Sequence, residues 1–366
     1  NEIKDVGIED ILGREPIDLD VKEISGYLKG KKVLVTGAGG SIGSELCRVI
    51  LEHGPGGMLL LDHSENAIYE LKMMLDKLHP GAPYAAVIAD VKDAEKIECL
   101  FAEFRPDVVF HAAAHKHVPL MEENACEAVK NNVMGTLVLR DASIRHNTGR
   151  FVMISTDKAV NPVSVMGATK RAAELLVQSA DDSGATRFMT VRFGNVLESN
   201  GSVVPLFKKQ IAAGGPVTVT HPDVIRYFMT IDEAASLVIQ AGAMGSGGEV
   251  FILDMGKPIK ILDLAKELIT LSGFKPDEDI MIRFTGLRPG EKLYEELLTS
   301  AQGVGTTKHR KIFVEKPEKH NRKALEKDAG ALIRRARSMD AHGVIAMLKK
   351  IIPEYKPYKK RGRPKK

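Results

Sequence analysis

A carboxylate and an amine stand side by side in Ser155-Thr156-Asp157-Lys158, directly after an apolar run. A second amine follows in Asn161-Pro-Val-Ser-Val-Met166-Gly-Ala-Thr-Lys170. Thr156, Asp157 and Lys158 are side chains that donate, accept and carry protons, so the chemistry they suggest is acid–base work on a bound substrate. Met166 and Lys170 are four positions apart and share one helix face. A thioether carries no proton, so Met166 cannot serve as acid or base.

A phosphate site lies upstream. The apolar run 32–36 leads into Gly37-Ala-Gly39-Gly40-Ser41-Ile42-Gly43 and then into a helical pattern, the setting a dinucleotide-binding glycine loop requires. The glycines allow backbone to approach a pyrophosphate, and the helix start presents free N–H groups to it. Asp62, at the end of the next run, is placed to accept hydrogen bonds from an adenosine ribose and would repel a 2′-phosphate, which favours NAD over NADP. The alternative for Asp62 is a helix N-terminal acid before Glu65. Asp90 and Val91 are candidates for the adenine pocket. In His111-Ala112-Ala-Ala-His115-Lys116-His117 the histidine spacing and the intervening lysine argue against a metal site. Ala112 is read as packing on the cofactor, and Lys116 as a cation toward the substrate.

These groups need a frame. Apolar runs at 32–36, 58–61, 84–89, 108–111, 151–155 and 188–191 alternate with helical patterns at 41–53, 65–78, 94–104 and 125–145. That alternation predicts an α/β fold, a Rossmann-like doubly wound parallel sheet with a smaller C-terminal substrate lobe. Helices are also predicted at 231–243 and 261–272. The organisation reads as a polar N-terminal arm over 1–30, a NAD-binding domain over 31–200, a substrate lobe over 201–352 interleaved with the first domain, and a basic, disordered tail over 353–366. Of the +4 net charge, seven Lys and Arg fall in the last twelve residues, leaving −3 for the body, so its charge does not suit nucleic acid. Cys47, Cys99 and Cys126 form no CxxC pair and read as small, buried, reduced thiols. No apolar run is long enough to span a membrane. The chain opens on Asn1 and is read as a fragment.

Taken together, the glycine loop, Ser155-Thr-Asp-Lys158, Met166-Gly-Ala-Thr-Lys170, Arg192-Phe-Gly-Asn195 and Gly286-Leu-Arg288-Pro-Gly-Glu291 resemble the extended short-chain dehydrogenase/reductase superfamily. Within it the chain is similar, from Val6 to Tyr355, to bacterial nucleotide-sugar 4,6-dehydratases of polysaccharide and protein-glycan biosynthesis, in particular those acting on UDP-N-acetylglucosamine. The resemblance makes Met166 the occupant of the place usually held by a catalytic tyrosine. It implies an internal redox cycle with NAD: oxidation at sugar C4, loss of water across C5 and C6, and hydride return to C6. Lys170 then binds the nicotinamide ribose, and Thr156 orients the C4 oxygen. Lys158 is expected to be the C5 base, its pKa lowered by burial and by Lys170, and Asp157 the acid at the C6 hydroxyl or the acceptor of the C4 proton.

The resemblance also implies a UDP-sugar site, with Arg288 on the pyrophosphate, Glu291 on the uridine ribose, Asn195 donating to a phosphate, and Arg226 at a phosphate or an interface. The segment 200–207 is read as a loop and strand reaching uracil. A homo-oligomer is expected through the helices near Cys99 and at 125–145. The segment Ile8-Glu-Asp-Ile-Leu-Gly-Arg-Glu-Pro resembles the stretch after an N-terminal membrane region in longer members, implying a catalytic part at the cytoplasmic face of the inner membrane. The tail Lys359-Lys-Arg-Gly-Arg-Pro-Lys-Lys is read as solvated rather than as a minor-groove hook. The competing functions are a nucleotide-sugar 4-epimerase and a silent NAD-binding sensor.

Overall fold

The computed structural model describes residues 17, 19–180, 184–296, 303–315 and 321–358. Segment 8–16 and tail 359–366 lie outside them. Strands β1 (Lys32–Thr36), β2 (Gly57–Asp62), β3 (Tyr84–Ile88), β4 (Val108–His111), β5 (Arg150–Thr156) and β6 (Arg187–Phe193) pair in parallel in the order 3-2-1-4-5-6. The inner strands are continuous buried runs because helices cover both sheet faces. This is the doubly wound order, and its switch point falls between β1 and β4. There Thr36 pairs with His111, so the glycine loop and the loop after β4 leave the sheet side by side.

The expected helices form as Ser41–Glu52, Glu65–Leu78 and Ala94–Phe104. The pattern at 125–145 is Ala125–Val129 and Gly135–Arg145 joined by a π-helical turn, Lys130–Met134. Of the arm predicted at 1–30, Val21–Leu28 is a helix that buries Ile24, Tyr27 and Leu28. Cys47 and Cys126 are buried as expected, but Cys99 is exposed on the outer face of its helix.

The second half departs further from its pattern. After the short strands β7 (Asn195–Val196), β8 (Val217–Val219), β9 (Ile225–Arg226) and β10 (Phe228–Met229), the chain returns to the main sheet. Strand β11 (Val250–Leu253) joins β6 in parallel, and after β12 (Ile259–Lys260) and β13 (Ile282–Phe284) come β14 (Val304–Thr306) and β15 (Ile312–Glu315), antiparallel at the edge. The smaller lobe keeps its own core of Phe207, Val217, Phe228, Leu264, Leu268 and Ile280. Within it 203–212 is a helix, Val203–Ala212, and not the expected strand, because Val204, Phe207 and Ile211 recur at helical spacing and are buried together. Helices Arg322–Arg337 and Ala341–Ile351 cover the apolar face of 125–134: Leu332, Ala336 and Leu348 pack with Cys126, Val129 and Val133. The 125–134 part of the surface expected to meet a second copy is therefore covered by the chain's own C-terminal helices. Among the described residues no helix is long and apolar enough to cross a membrane.

Helix Val165–Gln178 is fixed to the sheet by a buried ion network. Arg192 on β6 makes a two-pronged contact with Glu174, Nε to Oε1 at 2.7 Å and Nη2 to Oε2 at 2.6 Å. Its Nη1 donates to Glu315 on β15 at 3.0 Å, and Ser155 on β5 donates to Glu174 at 2.5 Å. Burial raises the Glu174 pKa, but Arg192 and Arg171 outweigh it and hold the carboxyl down at about 2. The stabilisation from Glu174 is thus complete above the ordinary carboxylate range and fades as pH falls from about 4.3 toward that value. Glu174→Ala, which strands Arg192 in the interior, is expected to cost about 3–5 kcal/mol in urea unfolding. A loss under about 1 kcal/mol, the range of an exposed pair, contradicts the reading.

Candidate active site

Close approach is what the glycine loop is built for. Gly37 has φ +67°, and a Cβ there would lie 2.6 Å from the Ala113 nitrogen. A Cβ on Gly39 would come within 2.5 Å of Ala67, and one on Gly43 within 2.0 Å of the Gly37 carbonyl. The loop after β4, helix Glu65–Leu78 and the loop's own turn therefore leave no room for a side chain at these three positions. Asp62 Oδ2 accepts the Gly39 N–H at 3.1 Å and Oδ1 the Ser64 N–H at 3.0 Å. The carboxylate lines a cavity of about 250 Å³ together with Asp90, Val91 and Ala112. The loop, the bare helix start and this cavity fit a dinucleotide.

A larger cleft, about 730 Å³, opens beside it between the sheet and the smaller lobe. It gathers Gly37, Gly40, Ser41, Ile42 and Gly43 from the glycine loop with Thr156 and Lys158 from the end of β5 and Met166 and Lys170 from helix Val165–Gln178. Lys116, Asn195, Arg226, Arg288 and Glu291 line it too. Helix Val165–Gln178 presses close to the Thr156–Lys158 turn: Ser164 Oγ caps it through the Gly167 N–H at 3.1 Å, and a Cβ on Gly167 would lie 2.1 Å from the Lys158 carbonyl. Met166 is both core and cleft wall, 3% exposed and packed with residues of the C-terminal helices.

Asp157 is not among the cleft-lining residues. It is wholly buried behind them; its Oδ1 accepts Thr156 Oγ1 at 2.9 Å and Lys158 Nζ at 2.9 Å, and its Oδ2 has no hydrogen-bond partner among the described residues. Lys158 also donates to Asn195 Oδ1 at 3.1 Å. The expected depression of the Lys158 pKa is reversed. Burial pulls it down, yet Asp157 and Glu295 together hold it above the ordinary lysine value, with Arg226 as the opposing cation. The depressed amines of the cleft are Lys170, lowered by burial to about 8 against the pull of Glu174, with Nζ donating to the Ile154 carbonyl at 2.7 Å, and Lys116, lowered by burial and then by Lys158.

On the substrate side, Arg226 is largely committed to its own lobe. It donates to the carbonyls of Ile225 at 2.8 Å, Leu293 at 3.2 Å and Lys292 at 2.8 Å, and to Glu291 Oε1 at 3.3 Å. These bonds make it a clamp on 291–295 rather than a free phosphate ligand. Glu291 also accepts Thr220 Oγ1 at 3.0 Å and the Arg288 N–H at 3.0 Å, so it shapes the turn that presents exposed Arg288 to the cleft. His111 is buried with Nδ1 on Thr36 and Nε2 on Thr136, and burial, then Lys170, lowers its pKa to about 3.

Two contributors escaped the sequence reading. Asn132, in the π-helical turn, bonds the His115 backbone at 2.8 Å and 3.0 Å and Thr169 Oγ1 at 3.0 Å, tying the loop after β4 to helix Val165–Gln178. The adjacent polar residues Asn131 and Asn132 inside an apolar helix were its available signal. Glu295 had no local signal, because its partners lie elsewhere in the chain.

Known proteins share this geometry and sequence. A family model described as polysaccharide biosynthesis protein matches residues 33–317, well over half the chain. The chain belongs to this family. It is 56% identical over 315 residues to the capsular polysaccharide biosynthesis protein CapD of Staphylococcus aureus, covering 86% of this chain and 52% of that protein. It is 34% identical over 275 residues to the UDP-N-acetylglucosamine 4,6-dehydratase (inverting) of Campylobacter jejuni, covering 74% of this chain and 78% of that one. The X-ray structure of Pen from Bacillus thuringiensis matches with a TM-score of 0.73 at 34% identity, over 79% of this chain and 90% of its own. The chain spans about half the length of CapD. Family membership bears out the resemblance to extended short-chain dehydrogenases/reductases of the dehydratase and epimerase kind.

The contact at Gly167 gives a direct test. Gly167→Ala forces the helix away from the Lys158 carbonyl and is expected to cost about 1–3 kcal/mol in urea unfolding, as overpacking does. Unchanged stability would mean that the two segments are not held this tightly.

Proposed function

We propose that the chain is an NAD-dependent nucleotide-sugar 4,6-dehydratase that converts UDP-N-acetylglucosamine to the UDP-linked 2-acetamido-2,6-dideoxy-4-keto sugar. The observation that carries this reading is the single cleft joining the glycine loop to Thr156, Lys158 and Lys170, with Arg288 across from them. Similarity to a dehydratase of that name supports the sugar. NAD, when bound, supplies a reversible hydride acceptor, so the cycle consumes no cofactor. The glycine loop and the start of helix Ser41–Glu52 hold its diphosphate, Asp62 its adenosine ribose and Lys170 its nicotinamide ribose. Arg288 meets the sugar-nucleotide diphosphate as a planar, always-charged donor, with Lys116 and the Asn195 amide as further donors.

Without a tyrosine at 166, the C4 proton needs another route. Thr156 Oγ1 already donates to Asp157 at 2.9 Å, so it can accept from the C4 hydroxyl and pass the proton inward to that carboxylate. Asp157 thereby takes part through Thr156 and Lys158 while remaining out of the cleft. Lys158, which lines the cleft, first releases its proton to solvent there, takes the C5 hydrogen as a free amine, and gives that proton to the departing C6 hydroxyl to form water, while a solvent proton enters at C5. One side chain thus serves as base and then as acid. In the same reading the domain works at the cytoplasmic face of the inner membrane, as part of a longer protein.

The test is incubation of the full chain with UDP-N-acetylglucosamine in deuterated buffer, followed by mass spectrometry and proton NMR. Loss of one water with one deuteron entering at C5 is expected, and Lys158→Ala should slow it by about 10²–10⁴-fold. Inversion at C4 without water loss would make the chain an epimerase. Unchanged substrate from protein that retains NAD would sink the proposed reaction on this sugar.

A further inference from the structure

The cavity of Asp62 and the cleft of Lys170 meet at a common passage, since Gly37, Gly40, Ala112, Ala114 and His115 line both. A molecule that reaches both ends must pass between the glycine loop on one side and the loop after β4 on the other. The floor of that passage is closed. Strands β1 and β4 pair up to Thr36 and His111, and a Cβ on Gly37 would lie 2.6 Å from the Ala113 nitrogen.

A segment of the smaller lobe spans the opposite side. It is anchored at Leu197 and Val204, both buried in that lobe's core. Between these anchors the Asn200 N–H donates to Ser41 Oγ at 3.1 Å, one residue beyond Gly40. Gly201 then lies against His117, two residues beyond His115, where a Cβ on the glycine would come within 2.6 Å of the imidazole Cε1. The turn is closed by the Ser202 N–H on the Ser199 carbonyl at 2.9 Å, and Gly201 has φ +70°. A side chain at 201 is thus opposed both by the backbone and by the contact. Ser199 to Ser202 also line the larger cleft, and the shielded Ser202 Oγ has no hydrogen-bond partner among the described residues. A covered hydroxyl of that kind is one a bound ligand can satisfy.

We propose that residues 198–202 are a strap that turns the passage into a closed ring, so that NAD enters and leaves only when the strap lifts from Ser41 and His117. This rests on the reading of the Asp62 cavity and Lys170 as the two ends of one NAD site. A dinucleotide carries a broad base at each end of a slender diphosphate, so sliding lengthwise through a closed ring is disfavoured. The floor of the ring is sheet backbone, whereas the strap holds on through a hydrogen bond and a ring contact at the exposed residues Asn200, Gly201 and His117. The strap is therefore the link that opens. A cycle that returns its hydride gains nothing by releasing NAD between turnovers, and a slow gate suits it.

The full chain is stripped of nucleotide and reloaded with ¹⁴C-NAD. Uptake by the stripped chain and release into excess unlabelled NAD are then followed by rapid filtration. A gate governs both rates, whereas loss of a binding contact acts mainly on release. Gly201→Ala pushes the strap off His117, and Ser41→Ala removes its hydrogen-bond acceptor at the other end. In each, uptake and release are expected to speed together by about tenfold, the scale set by losing one hydrogen bond from the closed state. For Gly201→Ala the dissociation constant should stay nearly unchanged. Unchanged rates in both variants, or faster release with unchanged uptake in both, overturn the strap. A chain that takes up no NAD overturns the strap and the cofactor reading together. Coupled acceleration in a chain that never dehydrates UDP-N-acetylglucosamine sustains the strap and defeats the proposed reaction.

Discussion

The buried contact between Arg192 and Glu174 is the constraint on which the rest of the site depends. Both charges lie under the sheet, and such a pair is tolerated only when its hydrogen bonds are nearly complete. Here the guanidinium meets Glu174 with two nitrogens and Glu315 with a third, while Ser155 and Arg171 complete the Glu174 carboxylate. The result ties β5, β6, β15 and helix Val165–Gln178 into one unit. Because Glu174 is thus held by the sheet, Met166 and Lys170, on the same helix, are held at the cleft. The charged members Arg192, Glu174, Glu315 and Arg171 do not line the cleft, which the network meets only through Ser155; it fixes the angle from which the helix presents its residues.

Two lysines in one cleft show how position alone divides roles. Lys170 is buried with a backbone carbonyl as its hydrogen-bond acceptor, and its amine is lowered to about 8. Lys158 is only partly buried, lines the cleft beside Asp157, and is held charged. A side chain that must both take and give a proton benefits from a compensated ammonium, since the charged form is the one that can donate to a leaving hydroxyl. Asp157 meets the cleft only through its contacts with Thr156 and Lys158 and does not line it, contrary to the place the sequence suggested for it.

Much of this was legible in the chain. Continuous apolar runs separated by amphipathic helices identify β1 to β6, and the glycine loop with Asp62 identifies the phosphate and ribose ends of a dinucleotide site, because backbone geometry there admits few other residues. What could not be read was set by distant contacts. The direction in which Asp157 points depends on Thr156 and Lys158 folding back into a 3₁₀ turn, Asp157–Ala159. The Lys158 charge is favoured first by Asp157 and then by Glu295 from far along the chain, and the commitment of Arg226 depends on carbonyls of Ile225, Lys292 and Leu293. Strands β11, β14 and β15 are short and sit among loops, so periodicity hid their return to the sheet; the C-terminal helices hid the face that seemed free for a second copy.

The central claim is that one cleft oxidises C4 and reduces C6 of the same sugar. Its most direct test uses UDP-N-acetylglucosamine carrying deuterium at C4, incubated with the chain in ordinary water, with the product examined by NMR for label in the C6 methyl group. The account predicts that the C4 deuterium appears at C6. Label retained at C4, or lost to solvent with none at C6, would contradict it.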